Sequence, residues 1–251
     1  MSKIFDAKIC DSFSRMFLNA HNAQECMSNV FFVIPAFNEQ DRVGLVVRSL
    51  RLAGWMNVVV VDDGSKDNTA RSALDAGAIL LQHVINRGQG AAIQTGTEYA
   101  LSKGATAIVH FDADGQHRIE DIAPMLAPVE LNEVDVTFGS RFLSKQHLPF
   151  KRRILLKGSV LVLLLFYGMR MTDAHNGFRV LSRKAAEKVR ITQNKMAHAS
   201  EIVELVKHHG LRYKEIPVII RYTDETLRRG AGSFKGACKI LWHMITKKVK
   251  T

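Results

Sequence analysis

Three oxygen-bearing side chains lie close together in the segment 112–117, which reads DADGQH. Asp112 and Asp114 are two residues apart at the end of an apolar run, and side chains two apart on an extended chain point the same way. Two converging carboxylates with a third oxygen ligand such as Gln116 suit Mg²⁺ or Mn²⁺ when the ion also binds a diphosphate. The alternative is an acidic turn in which Gly115 supplies the tight backbone. The acidic ladder of an EF-hand is absent.

Two further acidic residues, Asp62 and Asp63, end another apolar run. One of them can cap the following helix or bind a nest of backbone N–H groups, and the other can accept an N–H from a nucleobase. Gly88 and Gly90 resemble part of a dinucleotide fingerprint, but they follow the third predicted strand rather than the first, which argues against a Rossmann cofactor site. We expect these glycines to allow a close backbone approach to a ligand or to a neighbouring strand. The sequence contains no P-loop motif.

Short apolar runs alternate with helical patterns along the first two-thirds of the chain. This pattern predicts strands at 30–34, 57–62, 78–83, 106–112 and 135–140. It predicts helices at about 40–53, 67–76, 90–102 and 119–127. Because the strands are apolar on both sides, the alternation indicates a parallel sheet with helices on both faces. Ligands of such sheets bind at the carboxyl ends of the strands, where the acidic residues lie.

Length and composition indicate one compact domain. The chain has 251 residues, of which 47% are hydrophobic and 24% are charged, as in ordinary globular proteins. Its three cysteines are scattered and odd in number, which argues against a disulfide framework and for a reducing compartment. Residues 1–29 lack the apolar stretch of a signal peptide, and we interpret them as an N-terminal extension.

The net charge of +11 is concentrated in two segments. Residues 141–153 hold five Lys and Arg and residues 228–251 hold seven, with no acidic residue in either segment. Such segments indicate an anionic partner, and charge alone fits both nucleic acid and anionic lipid. The apolar run 158–169 is shorter than the about 20 residues of a membrane span, so it is either a core helix or an interfacial helix. Residues 236–251 predict a basic amphipathic helix, with a solvated terminal helix as the alternative.

Six motifs resemble those of glycosyltransferase family 2, in the same order: IPAFNE, VVDDGSKDNT, NRGQGAA, FDADGQH, GSRF and TDAHNGFR. The likeness runs from about Val30 to about Ser233 and is closer to the polyprenol-phosphate branch, which includes dolichol-phosphate mannose synthases. It implies a GT-A fold, an α/β architecture whose Rossmann-like, mostly parallel sheet carries helices on both faces, in a single domain over 30–235. It also implies inverting transfer of a sugar from a UDP- or GDP-linked donor.

The resemblance implies a role for individual residues. On the donor side these are Pro35, Glu39, Asp63 at the base, and Asp112, Asp114 and Gln116 around Mn²⁺ or Mg²⁺. On the acceptor side they are Arg141 and Arg152, which resemble arginines that hold a phosphate, and Asp173, which matches a carboxylate near the acceptor. Asp173 and Asp114 are the predicted catalytic residues. Arg179 completes the last motif, and Glu201 matches a recurrent acid whose role is open.

The implied acceptor is a polyprenyl phosphate, so the resemblance predicts a cytoplasmic enzyme bound peripherally to the inner face of a membrane. The helix at about 150–170 and the terminal helix would provide this contact, and an integral-membrane partner protein is compatible with it. Two departures concern the acceptor: Asn176 replaces a serine found in many relatives, and Leu156 lies where some have a serine.

Other functions compete with this prediction. A family 2 transferase can use a hydroxyl of a lipid-linked saccharide or glycan as acceptor, and a degenerate transferase can serve as a non-catalytic scaffold that binds nucleotide-sugar and membrane. A nucleotidyltransferase is disfavoured because the loop after the first strand reads PAFNEQD rather than a glycine- and arginine-rich sequence. Nucleic-acid binding rests on charge alone, so we predict no nucleic-acid partner.

Overall fold

The computed structural model describes residues 29–144, 171–173, 176–194 and 197–221. The strands in these ranges are β1 (Val30–Ala36), β2 (Asn57–Asp62), β3 (Ile79–Gln82), β4 (Ala107–His110), β5 (Val136–Ser140), β6 (Arg179–Ser182) and β7 (Tyr213–Pro217). The α-helices are α1 (Val43–Leu52), α2 (Thr69–Asp75), α3 (Gln89–Ser102), α4 (Ile122–Glu130), α5 (Arg183–Lys188) and α6 (His198–His208). A short 3₁₀ turn, Ile119–Asp121, leads into α4.

These strands form one sheet in the order β3-β2-β1-β4-β6-β5-β7. Strands β1 to β4 are parallel to one another, and β5 is parallel to β7, but β6 runs antiparallel to both of its neighbours. The five predicted strands and four predicted helices are confirmed to within a few residues, as is the mostly parallel α/β sheet. The five predicted strands are parallel to one another, and the sequence did not predict β7 or the antiparallel strand β6. Both are short, and Arg179 and Glu215 interrupt their apolar pattern.

The central strands are buried on both faces, which explains their uniformly apolar sequence. In β1, Phe32 and Ile34 pack into one hydrophobic cluster with α1 and α4, whereas Phe31 and Val33 pack into a second cluster with α3 and α6. All four are at most 5% exposed. Burial of an aliphatic or aromatic side chain stabilises the fold by about 1.5–3 kcal/mol. The two clusters therefore fix the sheet between two layers of helices.

Strand direction determines which residues meet at the functional edge of the sheet. Strands β1, β2, β4 and β5 all end at the same edge, because they run in the same direction. The antiparallel strand β6 begins at this edge, and its first residue, Arg179, pairs with His110 at the end of β4. Arg179 from β6 therefore lies at the same edge as the acidic residues that follow the parallel strands.

Several predicted features lie outside the described residues. These are Arg152, the helix at about 150–170, the amphipathic helix at 236–251 and the extension 1–29 apart from its last residue. Within the ranges that are described, no helix is both long and apolar enough to cross a membrane.

Candidate active site

A pocket of about 440 Å³ opens at the carboxyl edge of the parallel strands. Six of the residues that the sequence singled out line it: Pro35, Glu39, Asp63, Asp112, Asp114 and Arg179. They come from the ends of β1, β2 and β4 and from the start of β6, so the first and the last are 144 positions apart in the sequence. The sheet topology brings these side chains together around one cavity.

Asp112 and Asp114 face this pocket but are held in different ways. The Asp112 carboxylate accepts a hydrogen bond from His117 Nε2 at 2.9 Å and lies 3.3 Å from the donating amide of Gln89. Asp114 accepts from the backbone N–H of Gln116 at 3.0 Å and from its side-chain amide at 2.5 Å. The two carboxylates are therefore fixed by separate sets of donors.

Burial by itself would raise the pKa of Asp112, but the hydrogen bond and charge of His117 and the charges of Arg179 and His198 lower the pKa overall. In contrast, burial and the negative charge of Asp112 raise the pKa of Asp114. Two carboxylates that repel each other in this way favour a cation between them.

The side chains available as ligands fit a divalent-cation site that leaves positions for water and substrate, rather than one in which protein ligands fill every position. Among the described residues, no group of three or more His, Cys, Asp and Glu side chains is arranged to hold a metal ion. Two carboxylates with the nearby Gln116 amide would leave coordination positions for water and for phosphate oxygens. Mg²⁺ is usually held in this manner, by one or two carboxylates together with substrate phosphates.

Arg179 is the basic residue of the pocket. It is 1% exposed, and within the described part of the chain its Nε and Nη1 atoms make no hydrogen bond. Burial lowers the pKa of Arg179 to about 10, while the charges of Asp112 and Asp173 raise it. The guanidinium therefore stays charged at neutral pH, and buried N–H donors without an acceptor are costly. An anionic group in the pocket would supply the missing partner.

Asp63 is bound by backbone N–H groups of the loop after β3. Its carboxylate accepts from Arg87 N at 2.9 Å and from Gly88 N at 2.6 Å, and it lies 2.7 Å from His83 Nδ1. Gly88 has a φ of 100°, which glycine adopts without strain. This is the backbone nest that the sequence offered as one role for the acidic pair. Contact of Asp63 with a nucleobase stays a prediction.

Pro35 and Glu39 line the pocket on the β1 side. The backbone N–H of Glu39 donates to Thr69 Oγ1 at 2.8 Å, and the Glu39 carboxylate accepts from Arg42 Nε at 2.7 Å. Thr69 lies at the start of α2, so this contact ties the loop after β1 to the loop after β2. The donor-side role of both residues stays a prediction.

Arg141 and Asp173, both predicted on the acceptor side, form a buried ion pair with each other. Arg141 donates from Nε to Asp173 Oδ2 at 2.6 Å, from Nη2 to Oδ1 at 2.7 Å and from its backbone N–H at 3.1 Å. The side chains are 7% and 0% exposed, respectively. Nothing in the sequence indicated that the two side chains are in contact. The structure shows that one edge of the Arg141 guanidinium is bound to the Asp173 carboxylate. Contact of either with an acceptor stays a prediction.

Glu201 binds the chain segment that precedes α6. The Glu201 carboxylate accepts from the backbone N–H groups of Thr192 and Gln193 at 2.8–3.1 Å and from the Thr192 hydroxyl at 2.5 Å. It therefore fixes the segment that precedes α6, whose first residue, His198, lines the pocket.

Gln116, the predicted third metal ligand, donates to Asp114, and its role toward a metal stays a prediction.

Sequence reasoning missed three histidines and a glutamine of the site. His117 contacts Asp112, His83 contacts Asp63, and Gln89 and His198 line the pocket. His117 stands in the quoted FDADGQH motif, and Gln89 stands in NRGQGAA, so their position beside assigned residues was an available signal. His83 and His198 belong to no motif, and only the packing brings them to the edge.

A mixed, mostly parallel sheet with a carboxylate pair and a buried arginine at its carboxyl edge is the arrangement expected of a glycosyltransferase with the GT-A fold. Comparison with known proteins agrees: the sequence model of glycosyl transferase family 2 matches residues 31–190. The chain belongs to this family.

Related proteins cover most of the chain. An uncharacterized protein of Methanocaldococcus jannaschii is 37% identical over 225 residues, 88% of this chain and 92% of that protein. UDP-N-acetylglucosamine–dolichyl-phosphate N-acetylglucosaminyltransferase of Methanococcus voltae is 28% identical over 242 residues, 88% and 96% of the two chains. Among solved structures, glucosyl-3-phosphoglycerate synthase from Mycobacterium tuberculosis in complex with Mn²⁺ and UDP-glucose superposes with a TM-score of 0.62 at 15% identity, covering 78% and 71%. This structural likeness shows the shared fold.

Proposed function

We propose that this glycosyltransferase transfers a sugar from a UDP- or GDP-linked donor to a polyprenyl phosphate, with inversion at the anomeric carbon. The observation that carries the proposal is the pocket in which Asp112, Asp114 and the buried Arg179 meet. A diphosphate bridges such groups, because it can share a divalent ion with the carboxylates and pair directly with the arginine. The methanococcal relative, whose name specifies a nucleotide-sugar donor and a dolichyl-phosphate acceptor, supports this choice of substrates.

On the donor side, Asp112, Asp114 and Gln116 would hold Mn²⁺ or Mg²⁺. A bound ion supplies charge neutralisation for the leaving diphosphate. The solved neighbour whose structure contains Mn²⁺ and UDP-glucose supports this cofactor class. We expect Arg179 to pair with a phosphate oxygen of the donor. Pro35, Glu39 and Asp63 line the same pocket and would contact the nucleoside.

On the acceptor side, an oxygen of the lipid phosphate attacks the anomeric carbon while the bond from that carbon to the diphosphate breaks. The configuration inverts, and the nucleoside diphosphate leaves with its electron pair. A phosphate monoester is already largely ionised at neutral pH, since its second pKa is about 6. It therefore needs to be oriented rather than deprotonated.

The buried pair of Arg141 and Asp173 favours this acceptor over a sugar hydroxyl. A hydroxyl acceptor requires a general base. Asp173 is the predicted carboxylate near the acceptor, yet it accepts three hydrogen bonds from Arg141 and is fully buried. Both oxygens of this carboxylate are already engaged by the Arg141 guanidinium. It is better suited to orient Arg141 toward an anion.

The location of charge supports peripheral attachment to the cytoplasmic face of a membrane. Residues 141–153 and 228–251 together hold twelve basic residues and no acidic residue. Anionic lipids of the cytoplasmic leaflet attract such segments by about 1 kcal/mol for each basic residue near the surface. This attachment would bring the pocket to the phosphate of a membrane-embedded acceptor.

The direct test is to incubate the purified chain with Mn²⁺, a panel of UDP- and GDP-sugars and a short polyprenyl phosphate, and to detect glycolipid by mass spectrometry. We expect one donor to give product, and we expect D112N, D114N and excess EDTA each to abolish it while the protein still melts cooperatively. Transfer that persists in both variants would remove the metal from the proposal. Product formed only with a hydroxyl-bearing lipid-linked saccharide would establish the alternative acceptor, and donor binding without any transfer would indicate a scaffold.

The arginines give a second test, on the acceptor alone. Lysine keeps the charge of Arg141 but loses the bidentate geometry, so R141K should lower kcat/KM for polyprenyl phosphate by roughly 10- to 100-fold. R152A should act in the same direction. Donor affinity, measured by calorimetry, should change little in either variant. Near-normal acceptor kinetics in both variants would contradict the phosphate-binding role.

A further inference from the structure

His117 makes one polar contact within the described residues, and that contact is with Asp112. Its Nε2 atom lies 2.9 Å from Asp112 Oδ2, and its side chain is 3% exposed. The other ring nitrogen, Nδ1, is buried and makes no hydrogen bond in the same part of the chain. Because a carboxylate only accepts hydrogen bonds, Nε2 is the donor. The polar function of this histidine is therefore directed at a single carboxylate oxygen.

Two aromatic rings fix the plane of His117. Its ring centroid lies 5.1 Å from that of Phe111 and 5.2 Å from that of Phe178, and both phenylalanines are at most 1% exposed. The two phenylalanines also contact each other edge to face at 5.2 Å. A ring packed in this way has little freedom to rotate, so the direction of the Nε2–H bond is determined by the core.

The remaining sides of the Asp112 carboxylate are also constrained. Gln89 Nε2 approaches Oδ1 at 3.3 Å. A Cβ atom at position 177 would overlap the carboxylate, so glycine is required there for Asp112 to take its place. Asp114, in contrast, is held within its own turn by Gln116. Asp112 thus depends on His117, five positions along the chain, and on Gln89 from α3, and His117 supplies the shorter of the two contacts.

We propose that His117 is a positioning residue that holds the Asp112 carboxylate in the orientation needed to bind the divalent ion. This inference rests on the proposed metal-dependent function. Hydrogen bonds to the ligands of a metal fix ligand orientation, and their loss typically weakens metal binding by about 10- to 100-fold. The same loss is expected here when the Nε2–H donor is removed and the packing is retained.

The experiment compares H117F with H117Q. Phenylalanine keeps a ring between Phe111 and Phe178 but has no donor, whereas the glutamine amide can place an N–H near the position of Nε2. Mn²⁺ affinity is measured by titration of the electron paramagnetic resonance signal in the presence of UDP or GDP. We expect about 10- to 100-fold weaker Mn²⁺ binding in H117F and recovery to within roughly fivefold of wild type in H117Q.

A substitute variant and a metal-ligand variant allow each outcome to be interpreted. If H117F fails to fold, H117N replaces it, because asparagine is too short to reach Asp112, and the comparison with H117Q is the same. Equal Mn²⁺ affinity in wild type and H117F, with binding lost in D112N, would overturn the positioning role and leave the proposed function intact. Equally weak binding in H117F and H117Q would show that packing alone matters, which also overturns it. Wild-type Mn²⁺ binding no tighter than that of D112N would instead refute the proposed metal site.

Discussion

The ion pair between Arg141 and Asp173 allows a quantitative prediction for D173N. This substitution keeps the size of the side chain but removes its charge, so the buried guanidinium loses its counter-ion and at least one of three hydrogen bonds. Both side chains are at most 7% exposed, and solvent therefore does little to screen the loss. Removal of one partner from a buried pair typically costs about 3–5 kcal/mol. We expect the lower part of this range, because the asparagine carbonyl still accepts one hydrogen bond.

The assay is equilibrium unfolding in urea, monitored by circular dichroism. With an m value of roughly 3 kcal/mol/M, the expected loss lowers the midpoint by roughly 1 M. D75N is the matched control, because it removes the same charge from an aspartate that pairs with Arg71 at 2.9 Å on the surface, with side chains 76% and 53% exposed. Exposed pairs contribute little to stability, so D75N should leave the midpoint almost unchanged. Equal midpoints for D173N and wild type would refute the view that this pair is structural.

Three other predictions address the site, the pH dependence of stability and the membrane. G177A should push the Asp112 carboxylate out of place and lower the transfer rate about 100-fold, as steady-state kinetics would show; a normal rate would mean that Asp112 tolerates the shift. Burial would raise the pKa of Asp135, but hydrogen bonds from Arg212 outweigh it and lower the pKa to about 2. Because this pKa lies below the unfolded value of about 3.9, the stabilisation is present above pH 4 and is lost as the pH falls toward 2. Urea midpoints of wild type and D135N should therefore converge over this range, and a constant difference would count against the ion pair. Finally, the protein should sediment with anionic vesicles at low salt, and both high salt and deletion of residues 236–251 should reduce this binding; sedimentation indifferent to salt would show that charge does not drive it.

Much of the fold could be predicted from the sequence because its signals are local. A strand such as β2, NVVVVD, is apolar at successive positions, which only burial on both faces explains, and this property is carried by the residues themselves. The spacing of Asp112 and Asp114 also depends only on the local chain, so the carboxylate pair and its place at a strand end were predictable. Strand β6 was not, because it has four residues and begins with a buried arginine. Its antiparallel direction depends on the path of the chain before it.

The partners of the charged residues were decided by the tertiary structure. The sequence identifies Asp63, Arg141, Asp173 and Glu201 as polar residues worth attention, but nothing local says what each will bind. In the folded chain Arg141 pairs with Asp173 across 32 positions, and Asp63 accepts from the backbone N–H of Arg87, 24 positions later. A buried charge takes whichever partner the packing brings within about 3 Å, since leaving it unpaired costs several kcal/mol. Residue types and their order along the chain therefore determine the family and the chemistry. The fold alone determines which charges neutralise each other. It also leaves Arg179 facing the pocket, where its Nε and Nη1 atoms make no hydrogen bond within the described part of the chain.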